Sequence, residues 1–222
     1  SSIHAFRHAP HGVVVDESLP FDPEHAMGAY DSTKAEASLE VLQAARDGLD
    51  AVIVAPTGVI GPHDFRTSEL GALIRSWLQP SAALLIDGRY DFVDVRDVVK
   101  GEMLAAEKGR RGEVYILSGE QRHLVQMMLT VKQALGLPVK VLTIPLRWAK
   151  FFAKFAVVYY RLSREKPRFT PYSIATVQTN SVISHAKAER ELGYHPRTVE
   201  QSLLDTVSWW KQFLFQKKSK ET

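Results

Sequence analysis

Two periods of apolar spacing run through this chain. From residue 30 to 46, Ala35, Leu39, Leu42 and Ala45 recur at near-helical spacing, with Glu36, Glu40 and Gln43 between them. This is the pattern of an amphipathic helix with one buried face, and Asp47-Gly48 closes it. Ala51-Val52-Ile53-Val54-Ala55 follows as an unbroken apolar run. Such a run predicts a strand buried on both faces, as in a parallel sheet covered by helices. Helix, short turn and apolar strand together predict an α/β fold.

The same alternation continues. Residues 67–78 read as a helix that starts near Ser68-Glu69, packs Leu70, Leu73, Ile74 and Trp77 inward and stops at Gln79-Pro80. Leu84-Leu85-Ile86 is a short strand before an Asp87-Gly88 turn. Phe92-Val93-Asp94-Val95 is a second short strand, and Asp97 stands where it would cap the next helix, ahead of Val98, Val99, Met103, Leu104 and Ala105. Glu113-Val114-Tyr115-Ile116-Leu117 reads as a strand, residues 123–135 as a helix ended by Gly136-Leu137-Pro138, and Val139 to Pro145 as a half-exposed extended segment.

The two ends are less regular. Ser1-Ser2-Ile3-His4-Ala5-Phe6 has the look of the end of a strand. Residues 7–28, punctuated by Pro10, Gly12, Pro20, Pro23 and Gly28, read as a loop. Residues 146–178 open with an aromatic and basic amphipathic stretch, Leu146 to Tyr160. Its more economical reading is a substrate-domain helix with Phe151, Phe152, Phe155 and Tyr159 in a core or pocket, rather than a membrane-surface helix. A helix is predicted from about Thr198 to Phe215, with Leu203, Leu204, Val207, Trp210, Phe213 and Leu214 on one side.

Composition narrows the field. The 222 residues are 45% hydrophobic and 24% charged, which suits a globular, soluble protein. Twenty-eight basic residues face 25 acidic ones, a net charge of +3, so no nucleic-acid partner is expected. No cysteine occurs, which excludes disulfides, thiolate metal sites and a cysteine nucleophile and fits a cytoplasmic location. No apolar run is long enough to suggest a membrane span. The histidines show no metal-ligand spacing such as H-E-x-x-H, so no metal is expected.

One pair carries candidate chemistry. Tyr30 and Lys34 lie four residues apart at the start of the first helix, which stacks them on one face. A phenol has an ordinary pKa near ~10, and a neighbouring ammonium favours its anion. By itself the spacing is common. The loop Pro56-Thr57-Gly58-Val59-Ile60-Gly61-Pro62 adds to it, because it follows an apolar strand, and ligands of open α/β sheets bind at the carboxyl ends of strands.

These stretches, in this order, resemble the extended short-chain dehydrogenase/reductases, also called NAD-dependent epimerase/dehydratases. Ser1 to Phe6 resembles the segment carrying the family's catalytic serine, here Ser2. Tyr30 to Lys34 resembles its Y-x-x-x-K, Pro56 to Pro62 its loop past the nicotinamide, and Phe92 to Val98 a shared stretch near the substrate. Ser184 to Pro196 resembles a motif near family carboxyl termini. The look is closest to the dihydroflavonol-reductase-like branch.

The resemblance implies the carboxyl-terminal part of a Rossmann-type doubly wound parallel sheet plus a small substrate-binding domain. Residues 1–138 would be a partial dinucleotide-binding domain with interleaved substrate-domain segments, and residues 139–222 mostly the substrate domain. It implies an oxidoreductase using NAD or NADP, with Ser2, Tyr30 and Lys34 catalytic and Tyr30, Lys34, Pro56, Thr57, Gly58 and Val59 at the cofactor. The implied partner is a small molecule, apolar or aromatic in character, and a homodimer is compatible. Two alternatives stay open: a nucleotide-sugar epimerase or dehydratase, and a binding module without cofactor. The family's G-x-x-G-x-x-G turn, which holds the cofactor pyrophosphate at a helix N-terminus, is not in this sequence. The expectation is that the first β-α units, on the order of 100 residues at ~30 each, are missing and that this chain alone is inactive.

Overall fold

The apolar run at residues 53–56 becomes a strand because a second apolar run, buried at Tyr115, Ile116 and Leu117, lies alongside. In the computed structural model, which describes residues 1–24, 27–81, 83–86, 88–139, 141–144 and 182–221, β1 (Ile53–Pro56) pairs in parallel with β5 (Val114–Leu117), Ile53 opposite Val114 and Pro56 opposite Leu117. Parallel neighbours need a crossover between them. The chain supplies it with β2 (Gly58–Ile60), α2 (Glu69–Trp77), β3 (Ala83–Ile86), β4 (Arg89–Asp94) and α3 (Val95–Lys108). Before β1 come a 3₁₀ turn (Ile3–Ala5) and α1 (Ala29–Arg46). After β5 come β6 (Glu120–His123), α4 (Leu124–Ala134), β7 (Val141–Ile144), α5 (Ala186–Leu192) and α6 (Val199–Glu221).

Two compact units share this order. Ser1–Val59, Tyr90–Gln121 and Thr179–Val199 form the first; Ile60–Arg89, Arg122–Gln178 and Glu200–Thr222 form the second. In the first unit α3 and α5 pack against the β1–β5 pair. Val93, Val98, Ala105, Tyr115, Leu117, Ala188, Leu192 and Tyr194 form a buried cluster there. In the second unit β3 pairs in parallel with β7, and α2 packs with α4. Ser68 caps α2 by accepting from the Gly71 amide at 3.0 Å. Strands β2, β4 and β6 form a three-stranded sheet in that order.

Several expectations change. Ser1 to Phe6 is not the end of a strand: Ile3–Ala5 is a 3₁₀ turn, and Phe6 then forms an antiparallel bridge with Phe21. Helix α1 buries Asp31, Ala35, Ser38 and Ala45, while Leu39 is exposed. The helix is rotated so that small residues face inward, which permits a close approach that leucines would block. Asp97 is not the cap of α3. Asp94 is, with its carboxylate accepting from the Arg96 amide at 2.8 Å. Asp97 lies within the first turn and accepts from the Arg197 amide and guanidinium at 2.8, 3.0 and 3.1 Å. The helix begins earlier because Asp94 ends β4 directly, without a linker. Strands β2 and β6 were not expected, and α6 runs past Phe215 to Glu221. The 146–178 stretch lies outside the described residues.

Candidate active site

Ser2 precedes the 3₁₀ turn and is buried; its hydroxyl accepts from the His4 amide at 3.3 Å. That turn packs against α1. The first turn of α1 carries Tyr30, and its next turn carries Lys34. The Lys34 ammonium lies 5.8 Å from the Tyr30 ring centroid, so the helical spacing does bring the two together. Tyr30 is 51% exposed, open to a ligand from solvent. Behind it His4 meets the Tyr30 ring edge-on, centroids 6.3 Å apart.

Asp31 lies fully buried between Tyr30 and the loop that follows the turn. Its carboxylate faces His4 Nδ1 at 3.9 Å and His8 Nε2 at 4.0 Å. Burial pushes the His4 imidazole below its ordinary pKa, and the Asp31 charge pulls the other way. The His4 Nε2 shares a hydrogen with the Tyr90 hydroxyl at 2.9 Å. Tyr90, on β4, therefore braces the turn that bears Ser2.

The loop after β1 is braced by the next residue of β4. Thr57 is nearly buried; its amide donates to the Leu117 carbonyl at 3.3 Å and its hydroxyl donates to Asp91 Oδ1 at 2.6 Å. The same carboxylate oxygen accepts from the Gly119 amide at 3.0 Å. Asp91 is 2% exposed. Burial pushes its carboxyl up to about 6, against the hydrogen bonds from Thr57 and Gly119, and the Glu120 charge adds to the rise. A Cβ at Gly58 would lie 3.0 Å from the Asp91 carbonyl and 3.1 Å from the Tyr90 and Phe92 rings. Glycine is what lets the loop lie so close to β4.

Tyr30 and Lys34 thus share one helix face, Ser2 stands in the turn packed on that helix, and Pro56, Thr57, Gly58 and Val59 lie against β4. His4, Tyr90 and Asp91 went unnoticed in the sequence. One signal was available for the last of these, since aspartate is disfavoured inside strands and its presence in one calls for a reason. Among the described residues, no helix is long and apolar enough to cross a membrane.

The model of the NAD dependent epimerase/dehydratase family matches residues 2–118, more than half of the chain. The chain belongs to that family. It is 33% identical over 195 residues to sterol demethylase protein B of Methylococcus capsulatus, covering 87% of this chain and 58% of that protein. It is 30% identical over 215 residues to a dihydroflavonol 4-reductase-like protein of Synechocystis sp., covering 95% and 63%. The crystal structure of gox2253 superposes with a TM-score of 0.80 at 30% identity, covering 96% of this chain and 65% of that one. The α/β architecture is therefore of the Rossmann type seen in this family. The chain spans about three fifths of the length of the curated relatives it matches.

Proposed function

We propose that the intact protein is an NAD(P)-dependent oxidoreductase that interconverts a carbonyl and an alcohol on an apolar, ring-bearing small molecule. The observation that carries this reading is the Tyr30–Lys34 pair, a phenol half open to solvent with an ammonium 5.8 Å from its ring centroid, on the helix that packs against the Ser2 turn. The family's dependence on NAD and the names of the relatives, a sterol demethylase component and a dihydroflavonol reductase-like protein, support it.

The residues present suit one end of a dinucleotide. Lys34 offers a cation to a ribose hydroxyl, and Pro56, Thr57, Gly58 and Val59 offer a glycine-containing loop of low bulk beside the ring. The glycine-rich pyrophosphate turn is not among the 222 residues. When bound, the nicotinamide supplies or takes the hydride. In reduction Tyr30 gives its phenolic proton to the carbonyl oxygen, and in oxidation the phenolate takes a proton from the alcohol. Lys34 stabilises that phenolate by its charge. Ser2 already accepts a hydrogen bond from the His4 amide, so its own hydroxyl hydrogen is available to orient the substrate oxygen. The first compact unit is the cofactor side in this reading.

The test follows the label. The intact protein is given NADH or NADPH deuterated at the transferring carbon, together with a panel of sterol and flavonoid ketones. One deuterium on the new carbinol carbon is expected. Retention of the label on the cofactor with every ketone, alongside interconversion of nucleotide sugars, would replace this reading with an epimerase.

A further inference from the structure

Asp91 sits where a burial penalty has no obvious return. It lies in β4 between the aromatic residues Tyr90 and Phe92, and it is 2% exposed. An unpartnered carboxylate there would be strongly unfavourable. What satisfies it comes from two different connections. The Thr57 hydroxyl donates from the β1–β2 connection at 2.6 Å, and the Gly119 amide donates from the β5–β6 connection at 3.0 Å, both to Oδ1. Thr57 is tied a second time, through its amide to the Leu117 carbonyl at 3.3 Å.

The backbone is shaped around this junction. A Cβ at Gly58 would be tight against the Asp91 carbonyl at 3.0 Å, and a Cβ at Gly119 would overlap the Phe92 carbonyl. Glycines on both sides let the two connections close on β4. Burial raises the Asp91 carboxyl and the Glu120 charge adds to it; burial also raises the phenol of Tyr194, with the Asp97, Asp91 and Asp94 charges adding, and that phenol donates to the Ser118 carbonyl at 3.3 Å.

We propose that Asp91 is a positioning residue for the cofactor, acting through Thr57 to hold the Pro56–Val59 segment, where β1 passes into β2, in the form that receives the nicotinamide. This rests on the proposed function, because it takes that segment as the cofactor's. The role belongs to the acceptor oxygen rather than to the charge. Asparagine at this place keeps an oxygen for both Thr57 and Gly119, whereas alanine leaves both donors without it.

The experiment has two readouts on the intact protein. The first needs no cofactor: amide hydrogen exchange at Thr57, Gly58 and Val59. Asp91→Ala and Thr57→Val are expected to speed exchange in this segment about tenfold, the scale of one lost hydrogen bond to a charged group, while Asp91→Asn leaves it near wild type. The second is titration with NADH and NADPH. Asp91→Ala and Thr57→Val are expected to weaken binding about tenfold, the double variant no more than either single one. Asp91→Asn is expected to restore the affinity. Unchanged exchange in both Asp91→Ala and Thr57→Val overturns the proposal whatever binds. Additive losses in the double variant overturn it as well, because Asp91 would then act by another route than Thr57. Faster exchange in the two variants, with a wild-type protein that binds neither dinucleotide, leaves the hold on the segment standing and overturns the cofactor function instead.

Discussion

The start of α1 and the middle of β4 make a contrast. At Tyr30 the proposed reactive group is half exposed, sits in the first turn of a helix and has a cation one turn away on the same face. At Tyr90 and Asp91 the polar groups are buried, and their partners lie far away in sequence: His4 for one, Thr57 and Gly119 for the other. The first region can change chemistry at little risk to the fold. The second trades stability for placement. Chemistry on an exposed helix and its support on a buried strand is an economical division, because rigid elements hold a site better than loops do.

Substitutions can sharpen this contrast, and the largest effect on stability belongs to Asp91→Asn. The folded-state carboxyl is raised to about 6 from 3.8, so the folded protein binds this proton more tightly than the unfolded chain. The favourable contribution is complete below the ordinary value and is lost as pH rises through about 6. At neutral pH the charged form therefore costs up to about 3 kcal/mol. Asp91→Asn removes this cost, and its melting temperature is expected to exceed that of wild type at neutral pH and to approach it near pH 4. A variant less stable than wild type at neutral pH would show that β4 is not held under strain.

Asp97→Ala comes next. Asp97 is buried and accepts three hydrogen bonds from Arg197, whose side chain keeps 30% exposure. Solvent can reach the abandoned guanidinium, so the expected loss is about 2 kcal/mol, below that of a fully buried pair. Denaturant unfolding measures it, and turnover per folded molecule should not change. The smallest effect is at Ser68→Ala in the second unit, where one helix cap is lost for about 1 kcal/mol. Dinucleotide affinity should be the same as wild type; a change there would extend the site beyond the two regions compared.

What was legible in the sequence follows the same division. The periodicity of residues 30–46 predicted α1 almost to the residue, and the Y-x-x-x-K spacing sufficed to stack Tyr30 on Lys34, because helical neighbours are fixed by local geometry. The rotation of that helix was not legible, since Leu39 outranks Ser38 and Asp31 on any hydrophobic scale and the preference for small residues arises from what packs against them. Asp97 reads as the cap from its own surroundings alone; Arg197, a hundred residues away, decides otherwise. His4, Tyr90 and Asp91 were silent for that reason too. Their roles are set by partners from distant segments, and no local pattern encodes those.

The most direct measurement of the central claim is the kinetics of Tyr30→Phe in the intact protein. The ring, its packing on His4 and the cation above it all remain, and only the exchangeable proton goes. The account predicts turnover about a thousandfold lower, NADH or NADPH affinity within about threefold and stability within about 0.5 kcal/mol of wild type. Turnover within about tenfold of wild type would contradict it, for Tyr30 would then not be the group that carries the proton.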